Sequence, residues 1–310
     1  MIRLRKKTQL NKNNVFEKKD PAGNVIWGIT YGTLWMICVV QVLMVFWMIY
    51  TSLKNDLMLF ESMFKFPPMN NLQWKNYVKI FDRLQVQIFS EKYGYTTYTF
   101  WDMILNGLTL SIVMPISGIV STVSMAYALS KYNFPGRKFL INLNIVLMVV
   151  PSLGSLAASL ELNHAIGRYD NLLMMAIMGG TPFGMQLIIY MGMFKAIDNE
   201  YMEAARIDGA KELTILFRII LPLAFPTIFI FYAIDVMSTW NNYELPLLWL
   251  PSYPNLAFGI YQFQYDAEKY GATLPEVLAG FTIISIPSII FFASTQKLMA
   301  AKVAIGGLKG

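Results

Sequence analysis

The chain has 310 residues, of which 55% are hydrophobic and 14% are charged, with 25 Lys and Arg against 19 Asp and Glu. This charged fraction lies far below the roughly 25% of ordinary soluble domains, so the composition indicates a membrane protein. The single cysteine, Cys38, and the single histidine, His164, exclude a disulfide framework and most metal sites built from those residue types.

Six apolar runs are each long enough to cross a hydrocarbon core of about 30 Å as a helix. They span residues 25–50, 106–130, 139–160, 171–194, 219–243 and 277–296. Only the fifth contains a charged residue, Asp235, and the fourth contains a glycine-rich stretch at 179–184 that we interpret as a packing site or kink. The sequence therefore predicts an all-α integral membrane protein with six transmembrane helices.

Lysine and arginine in the loops predict the orientation of these helices, because cytoplasmic loops carry an excess of both. Seventeen of the 25 lie in the N-terminal tail, the loop after the second run, the loop after the fourth run and the C-terminal tail. Both termini are therefore predicted to be cytoplasmic, and the positive charge is explained by topology and anionic lipid rather than by nucleic acid. The predicted organisation is a basic tail 1–24, a first transmembrane helix 25–52, an outer loop 53–105, a transmembrane domain 106–298 and a tail 299–310.

The charged segment 195–221 lies between the fourth and fifth runs and cannot lie within lipid. Asp198 or Asn199 can cap a helix there, and Glu200 and Glu203 suit the positive end of its dipole. Gly209 is a natural helix stop. Two interpretations remain open on these grounds: a solvated connector, or a helix that docks on another protein.

The order of residues in this segment resembles the EAA loop of bacterial ABC importer permeases. Glu203-Ala204-Ala205, three residues, Gly209, nine residues, Ile219, one residue and Leu221-Pro222 meet every position of that pattern. The stretch 203–210, EAARIDGA, resembles the carbohydrate-uptake branch, and so do the FPGRK turn at 134–138, the WNN stretch at 240–242 and the GGLKG end at 306–310. The resemblance is to the maltose-type second permease and covers residues 106–310.

This resemblance implies the type I importer permease fold and a multi-pass protein of the bacterial cytoplasmic membrane. It implies that a coupling helix docks into an ATPase subunit through Glu203, Ala204, Ala205, Arg206, Asp208, Gly209 and Ala210. The implied partners are a second, homologous permease, two ATPase subunits and an extracytoplasmic solute-binding protein. ATP and Mg would be bound by the ATPase subunits, since this chain has no P-loop motif and needs no cofactor of its own. The chain is accordingly predicted not to be an enzyme.

A substrate path is predicted where polar and aromatic residues meet in the fifth run. A carboxylate in a membrane span is costly and usually faces a partner or a watery cavity, so Asp235 has either a structural or a transport role. The other candidate residues are Trp240, Asn241, Asn242 and Tyr243. Two alternatives are kept: an importer for a solute other than a sugar, and an ion-driven secondary transporter with Asp235 as its proton site. The sequence lacks a recognisable nucleophile and base, which disfavours an intramembrane enzyme.

Overall fold

The computed structural model describes residues 21–61, 65, 67, 69–90, 94–150, 154–267 and 271–306. Helices dominate it. They are α1 Pro21–Ser52, α2 Asp56–Glu61, α3 Lys75–Arg83, α4 Phe100–Lys131, α5 Arg137–Val149, α6 Leu156–Ala165, α7 Leu172–Met178, α8 Met185–Ala196, α9 Glu200–Ile207, α10 Glu212–Ile215, α11 Leu221–Trp240, α12 Glu244–Trp249, α13 Leu256–Tyr265 and α14 Leu274–Gly306. A short 3₁₀ turn covers Met69–Asn71, a π-helical segment covers Leu216–Ile220, and strands β1 Val86–Ser90 and β2 Gly94–Tyr98 pair as an antiparallel hairpin.

Four helical stretches among the described residues are long and apolar enough to cross a membrane, namely Val25–Ser52, Phe100–Lys131, Glu212–Trp240 and Leu274–Leu298. They include the first, second, fifth and sixth predicted runs. The first is exposed over nearly its whole length, so lipid or another protein must cover it.

The third and fourth predicted runs are not single helices. Helix α5 ends at Val149, and Val150 is extended, because a residue that precedes a proline (here Pro151) is disfavoured in the helical conformation. Helix α7 ends at Met178, and α8 begins only at Met185, after Gly179-Gly180-Thr181-Pro182-Phe183-Gly184. The glycine-rich stretch is interpreted from the sequence as a packing site or kink. In the structure it separates the fourth run into two helices.

The boundaries of other predicted segments also differ. Helix α4 begins six residues before residue 106, because Thr99 and Asp102 form a capping box in which the Asp102 carboxylate accepts from the Thr99 amide at 2.9 Å. Helix α14 continues through Gly306, so most of the predicted tail 299–310 is helical. Residues 1–20 of the basic tail and residues 307–310 lie outside the described residues.

Helix α4 lies at the centre of the bundle and contacts α7, α8, α11 and α13. At one end, an apolar cluster joins the second half of α4 and the length of α8 to α9 and to the start of α11. At the other end, which carries the β-hairpin, a second cluster joins α3, β1, α13 and the first turns of α4 and α14. We call these the α9 end and the hairpin end of the molecule.

A buried carboxylate attaches the segment before α4 to α14 at the hairpin end. Glu276 is 1% exposed, and its carboxylate accepts from Lys79 Nζ at 2.6 Å, from Arg83 Nη1 at 3.3 Å and from the Thr273 amide at 3.3 Å. Both cations lie on α3, so this network fixes α3 against the start of α14.

Glu276→Ala should lower the free energy of unfolding by about 2 kcal/mol, the level expected for hydrogen bonds to a charged group. Thermal unfolding of the purified, detergent-solubilised protein measures this change. Glu244→Ala is the control, since Glu244 is an exposed glutamate at the start of α12. Equal unfolding temperatures for the two variants would contradict the structural role of Glu276.

Candidate functional site

Helix α9 has one buried face and one exposed face. Met202 and Ala205 are buried in the apolar cluster that also holds Tyr127 and Phe194. Glu203, Ala204 and Ile207 are exposed, together with Glu200 one turn earlier. Positions 200, 203, 204 and 207 share one side of a helix. The helix is therefore fixed to the bundle by one side and presents the other to its surroundings.

Gly209 ends α9 in a Schellman motif. The Ala210 amide donates to the Ala205 carbonyl at 2.9 Å, and the Gly209 amide donates to the Arg206 carbonyl at 3.0 Å. These are the two bonds that define the motif, and it needs a left-handed residue at the position after the cap. Gly209 has φ +78°, and a Cβ there would meet no atom within 4 Å. The glycine is thus required by backbone conformation, as predicted from the sequence, and not by lack of space.

Three side chains join α9, α10 and the end of α4. Arg206 Nε donates to Glu212 Oε1 at 2.8 Å, and the Tyr132 hydroxyl donates to Glu212 Oε2 at 2.7 Å. The hydrogen bond to Glu212 raises the pKa of the Arg206 guanidinium. Burial is the largest cause that raises the pKa of the Tyr132 hydroxyl, and hydrogen bonds to Tyr127 and Glu212 add to it. Sequence reasoning missed Glu212 and Tyr132, because no local spacing connects two residues that are eighty positions apart.

The end of α4 also fixes the chain that leads into α9. Lys131 Nζ donates to the Ile197 carbonyl at 2.5 Å and to Asn199 Oδ1 at 2.8 Å. Asn199 is the residue before α9 but makes no side-chain cap, because its amide oxygen is used by Lys131. Of the two residues predicted as possible caps, Asp198 and Asn199, Asn199 occupies the cap position but forms no side-chain cap, and it holds the entry to α9 instead.

The segment after α10 owes its π-helical form to proline. Pro222 lacks an amide hydrogen, and its ring would clash with the carbonyl of Arg218 in a regular α-helix. The Leu221 amide instead donates to the Leu216 carbonyl, five residues earlier, and the helix widens by one residue. Leu221-Pro222 thereby marks the point at which the chain turns from α10 into α11.

Large apolar side chains are exposed on both sides of the Gly209 turn. Ile207 is 87% exposed, and Tyr201, Leu213 and Phe217 are also exposed. We call these four residues, with Glu203, Ala204 and Asp208, the docking surface, after the role predicted for this segment from the sequence. Exposed apolar side chains beside charged ones are typical of protein interaction sites. Five of the seven residues predicted for this role are exposed, namely Glu203, Ala204, Arg206, Asp208 and Gly209; Ala205 is buried instead, and Ala210 is half-buried.

A polar cavity of about 360 Å³ lies within the bundle, away from the docking surface. Its walls come from the middle of α4, the break between α7 and α8, the first turn of α8 and the second half of α11. Asp235 lines it, and Gln186 Nε2 donates to both Asp235 carboxylate oxygens at 3.0 Å. Asp235 thus has a structural partner and also faces a cavity.

The break between α7 and α8 rests directly on the backbone of α4. A Cβ on Gly180 would lie 2.1 Å from the Gly118 Cα atom, and one on Gly179 would lie 2.8 Å from the Met114 Cε atom. Asn144 accepts from the Gly184 amide at 2.7 Å and donates to the Gly184 carbonyl at 3.4 Å. The backbone freed by the break is therefore bonded by side chains of neighbouring helices, as a low-dielectric surrounding requires.

The remaining predicted path residues lie elsewhere. Trp240 is 6% exposed, and its indole donates to the Ile284 carbonyl at 3.0 Å, so it packs in the apolar cluster at the hairpin end. Asn241 donates to Ser288 at 3.3 Å, and the Asn242 side chain accepts from the Leu245 amide at the start of α12. Tyr243 stacks on Tyr261 with ring centroids 4.6 Å apart. The structure therefore brings only Asp235 of the five predicted residues to the polar cavity.

An apolar helical bundle with an open polar cavity between its helices and an exposed apolar surface at one end is typical of a membrane-embedded transport protein. The chain belongs to the family described as the binding-protein-dependent transport system inner membrane component, which it matches over residues 118–305. That match includes α9, the Gly209 turn and the cavity residues on α8 and α11.

Individual relatives agree with this family. The chain is 31% identical over 213 residues to the alpha-glucoside transport system permease protein AglG of Rhizobium meliloti, covering 66% of this chain and 56% of that protein. It is 28% identical over 254 residues to the arabinooligosaccharides transport system permease protein AraQ of Halalkalibacterium halodurans, covering 79% and 88%. A crystal structure of a bacterial ABC transporter involved in the import of the acidic polysaccharide alginate shares the fold, with a TM-score of 0.67, 21% identity and coverage of 90% of this chain and 98% of that one.

Gly180→Ala should lower the free energy of unfolding by about 1–3 kcal/mol, because its methyl group overlaps backbone that has no side chain to move aside. Gly192→Ala, in the exposed middle of α8 with no atom within 4 Å of the added Cβ, should be neutral or stabilising by up to about 1 kcal/mol. Thermal unfolding of both purified variants measures the difference. Similar unfolding temperatures would show that α4 and the break do not touch as described.

Proposed function

We propose that this chain is the permease subunit of an ATP-driven, binding-protein-dependent importer for a sugar or oligosaccharide. The observation that carries the proposal is the docking surface, which combines the EAA spacing with a Schellman turn and an exposed apolar side. The names of AglG and AraQ, which are alpha-glucoside and arabinooligosaccharide permeases, support a carbohydrate as the cargo.

In this proposal the chain does no chemistry of its own. Two separate ATPase subunits bind ATP and Mg, and their closure moves the docking surface. A second, homologous permease completes the pathway, and an extracytoplasmic binding protein delivers the solute. Nucleotide shifts the balance between an inward-open and an outward-open state, and it can do so only through contacts that differ between the two states.

The proposed topology places the α9 end in the cytoplasm and the hairpin end outside, with both termini cytoplasmic. The third and fourth spans would each be built from two shorter helices, α5 with α6 and α7 with α8, giving six crossings. This arrangement is supported by Lys131, Arg137, Lys195, Arg206 and Lys211, which all lie on the α9 end or in its loops.

Ile207→Asp should remove the ATPase subunits from the complex, because a charge would replace the most exposed apolar side chain of the docking surface. The fold should be retained, since Ile207 is 87% exposed. Affinity co-purification from membranes that contain all subunits measures the association. Leu57→Asp is the control, because Leu57 is an exposed aliphatic residue on α2 at 74% exposure, before the hairpin. Equal recovery of ATPase with both variants would contradict the docking role.

Gly209→Asp should uncouple uptake from ATP hydrolysis. Aspartate tolerates a left-handed backbone better than most residues, so the turn should survive with modest strain, while its side chain alters the docking surface. We expect at least a tenfold loss of sugar uptake with a normal amount of the chain in the membrane. Uptake of labelled sugar by cells, set against membrane immunoblots, measures both. Normal uptake would contradict the coupling role of the turn.

A further inference from the structure

We infer that the polar cavity between α4, α8 and α11 is a contact site for the transported solute, and that it accepts an uncharged, hydroxyl-rich molecule. The inference rests on the proposed function, since a solute site presupposes transport. It assigns to this chain a direct part in solute recognition and gives Asp235 and Gln186 separate roles. Asp235 would accept hydrogen bonds from solute hydroxyl groups, and Gln186 would hold its carboxylate in position.

The geometry of the Asp235 carboxylate supports this assignment. A carboxylate offers about four lone-pair positions on its two oxygens. Gln186 Nε2 lies 3.0 Å from both oxygens and donates to both, which leaves other acceptor positions of the carboxylate open. Asp235 is half-buried and lines the cavity. Its remaining acceptor positions therefore serve donors that enter the cavity.

The other walls carry no charge and mix polar groups with apolar surface from Met114, Pro115, Phe183 and Met185. Ser238 and Thr239 add hydroxyl groups on α11, and Thr122 and Thr181 add hydroxyl groups across the cavity. Gly179, Gly180 and Gly184 leave the wall at the helix break without side chains, so backbone is accessible there. Neutral hydroxyl and amide groups around one carboxylate suit a ligand that both donates and accepts hydrogen bonds, as a sugar does.

Charge decides which class of solute fits. Among the described residues that line the cavity, Asp235 carries the only charge, and no lysine, arginine or histidine accompanies it. An acidic sugar would place its carboxylate near Asp235 in a partly desolvated site without a compensating cation, and like-charge juxtaposition of this kind is strongly unfavourable. The volume of about 360 Å³ lies at the lower end of small-molecule sites, so this chain would hold part of the solute and the second permease the rest.

The first experiment tests the class of solute. The complete assembly, with its binding protein, is reconstituted in liposomes and given labelled neutral trisaccharides of glucose, arabinose or galactose, a triuronide, and an amino-trisaccharide. We expect ATP-driven uptake of at least one neutral trisaccharide and of neither charged probe. Uptake of only the triuronide or only the amino-trisaccharide would overturn the inference and leave the proposed importer intact. Absence of ATP-driven uptake of every probe would overturn both.

The second experiment tests direct contact. Uptake of the best neutral probe is compared with uptake of its monodeoxy derivatives. The wild-type transporter should take up the derivative that lacks one particular hydroxyl group less efficiently than the others. Asp235→Asn should lower the efficiency of uptake about tenfold, the effect of weakening a hydrogen bond to a charged group, and should lose that discrimination. Ser285→Ala is the control, since Ser285 bonds only to Phe281 of its own helix among the contacts described for it and lies outside the cavity.

A purely structural role of Asp235 would lower uptake of all deoxy probes by the same factor and leave their ranking unchanged, which would overturn the inference. If Asp235→Asn does not accumulate in the membrane, Gln186→Ala is measured in its place. That variant removes the two hydrogen bonds that hold the carboxylate, so it should reduce the difference in uptake between the monodeoxy derivatives. An unchanged ranking with Gln186→Ala would equally overturn the assignment.

Discussion

The contact between Gly180 and Gly118 is the constraint on which the interior of this bundle depends. Two backbones meet there without a side chain between them, and an added Cβ on Gly180 would lie 2.1 Å from the Gly118 Cα atom. Small residues allow such approach between membrane helices, where packing rather than the hydrophobic effect drives association. Because the break between α7 and α8 rests on α4 at this point, α8 starts beside α11. The cavity and the Gln186–Asp235 pair follow from that placement.

A helix break inside a bundle has a cost that side chains must offset. Backbone amides and carbonyls that leave a helix need other partners when water is absent. Asn144 bonds both polar groups of Gly184, Ser117 donates to the Ala176 carbonyl at 2.9 Å, and Thr122 donates to the Thr181 carbonyl at 3.3 Å. These polar residues lie in apolar runs of the sequence for this reason. They stabilise the irregular segment that gives the cavity its open wall.

Much of the architecture could be predicted from the sequence because it depends on local properties. Apolar run length predicted the four long spanning helices, and the spacing from Glu203 to Pro222 predicted the α9 turn, whose glycine has the expected left-handed backbone. The two split runs were harder, since Pro151 and the 179–184 stretch signal a disturbance but not its extent. The roles of Tyr132, Lys131 and Glu212 could not be predicted, because they depend on distant segments meeting. Trp240 looked like a path residue from its neighbours, yet its indole is buried and bonded to α14.

The two helices that carry Gln186 and Asp235 of the cavity, α8 and α11, also flank the docking surface in the chain. Helix α8 carries Gln186 in its first turn and ends at Ala196, four residues before α9 begins; α11 follows the turn and carries Asp235. A helix of twelve residues is about 18 Å long and stiff along its axis. In the proposed importer, a displacement of α9 would move α8 relative to α11, and the two hydrogen bonds between Gln186 and Asp235 lie between these two helices. The distance between Gln186 and Asp235 would then change with each displacement, so an event outside the membrane would alter the geometry of the cavity within it.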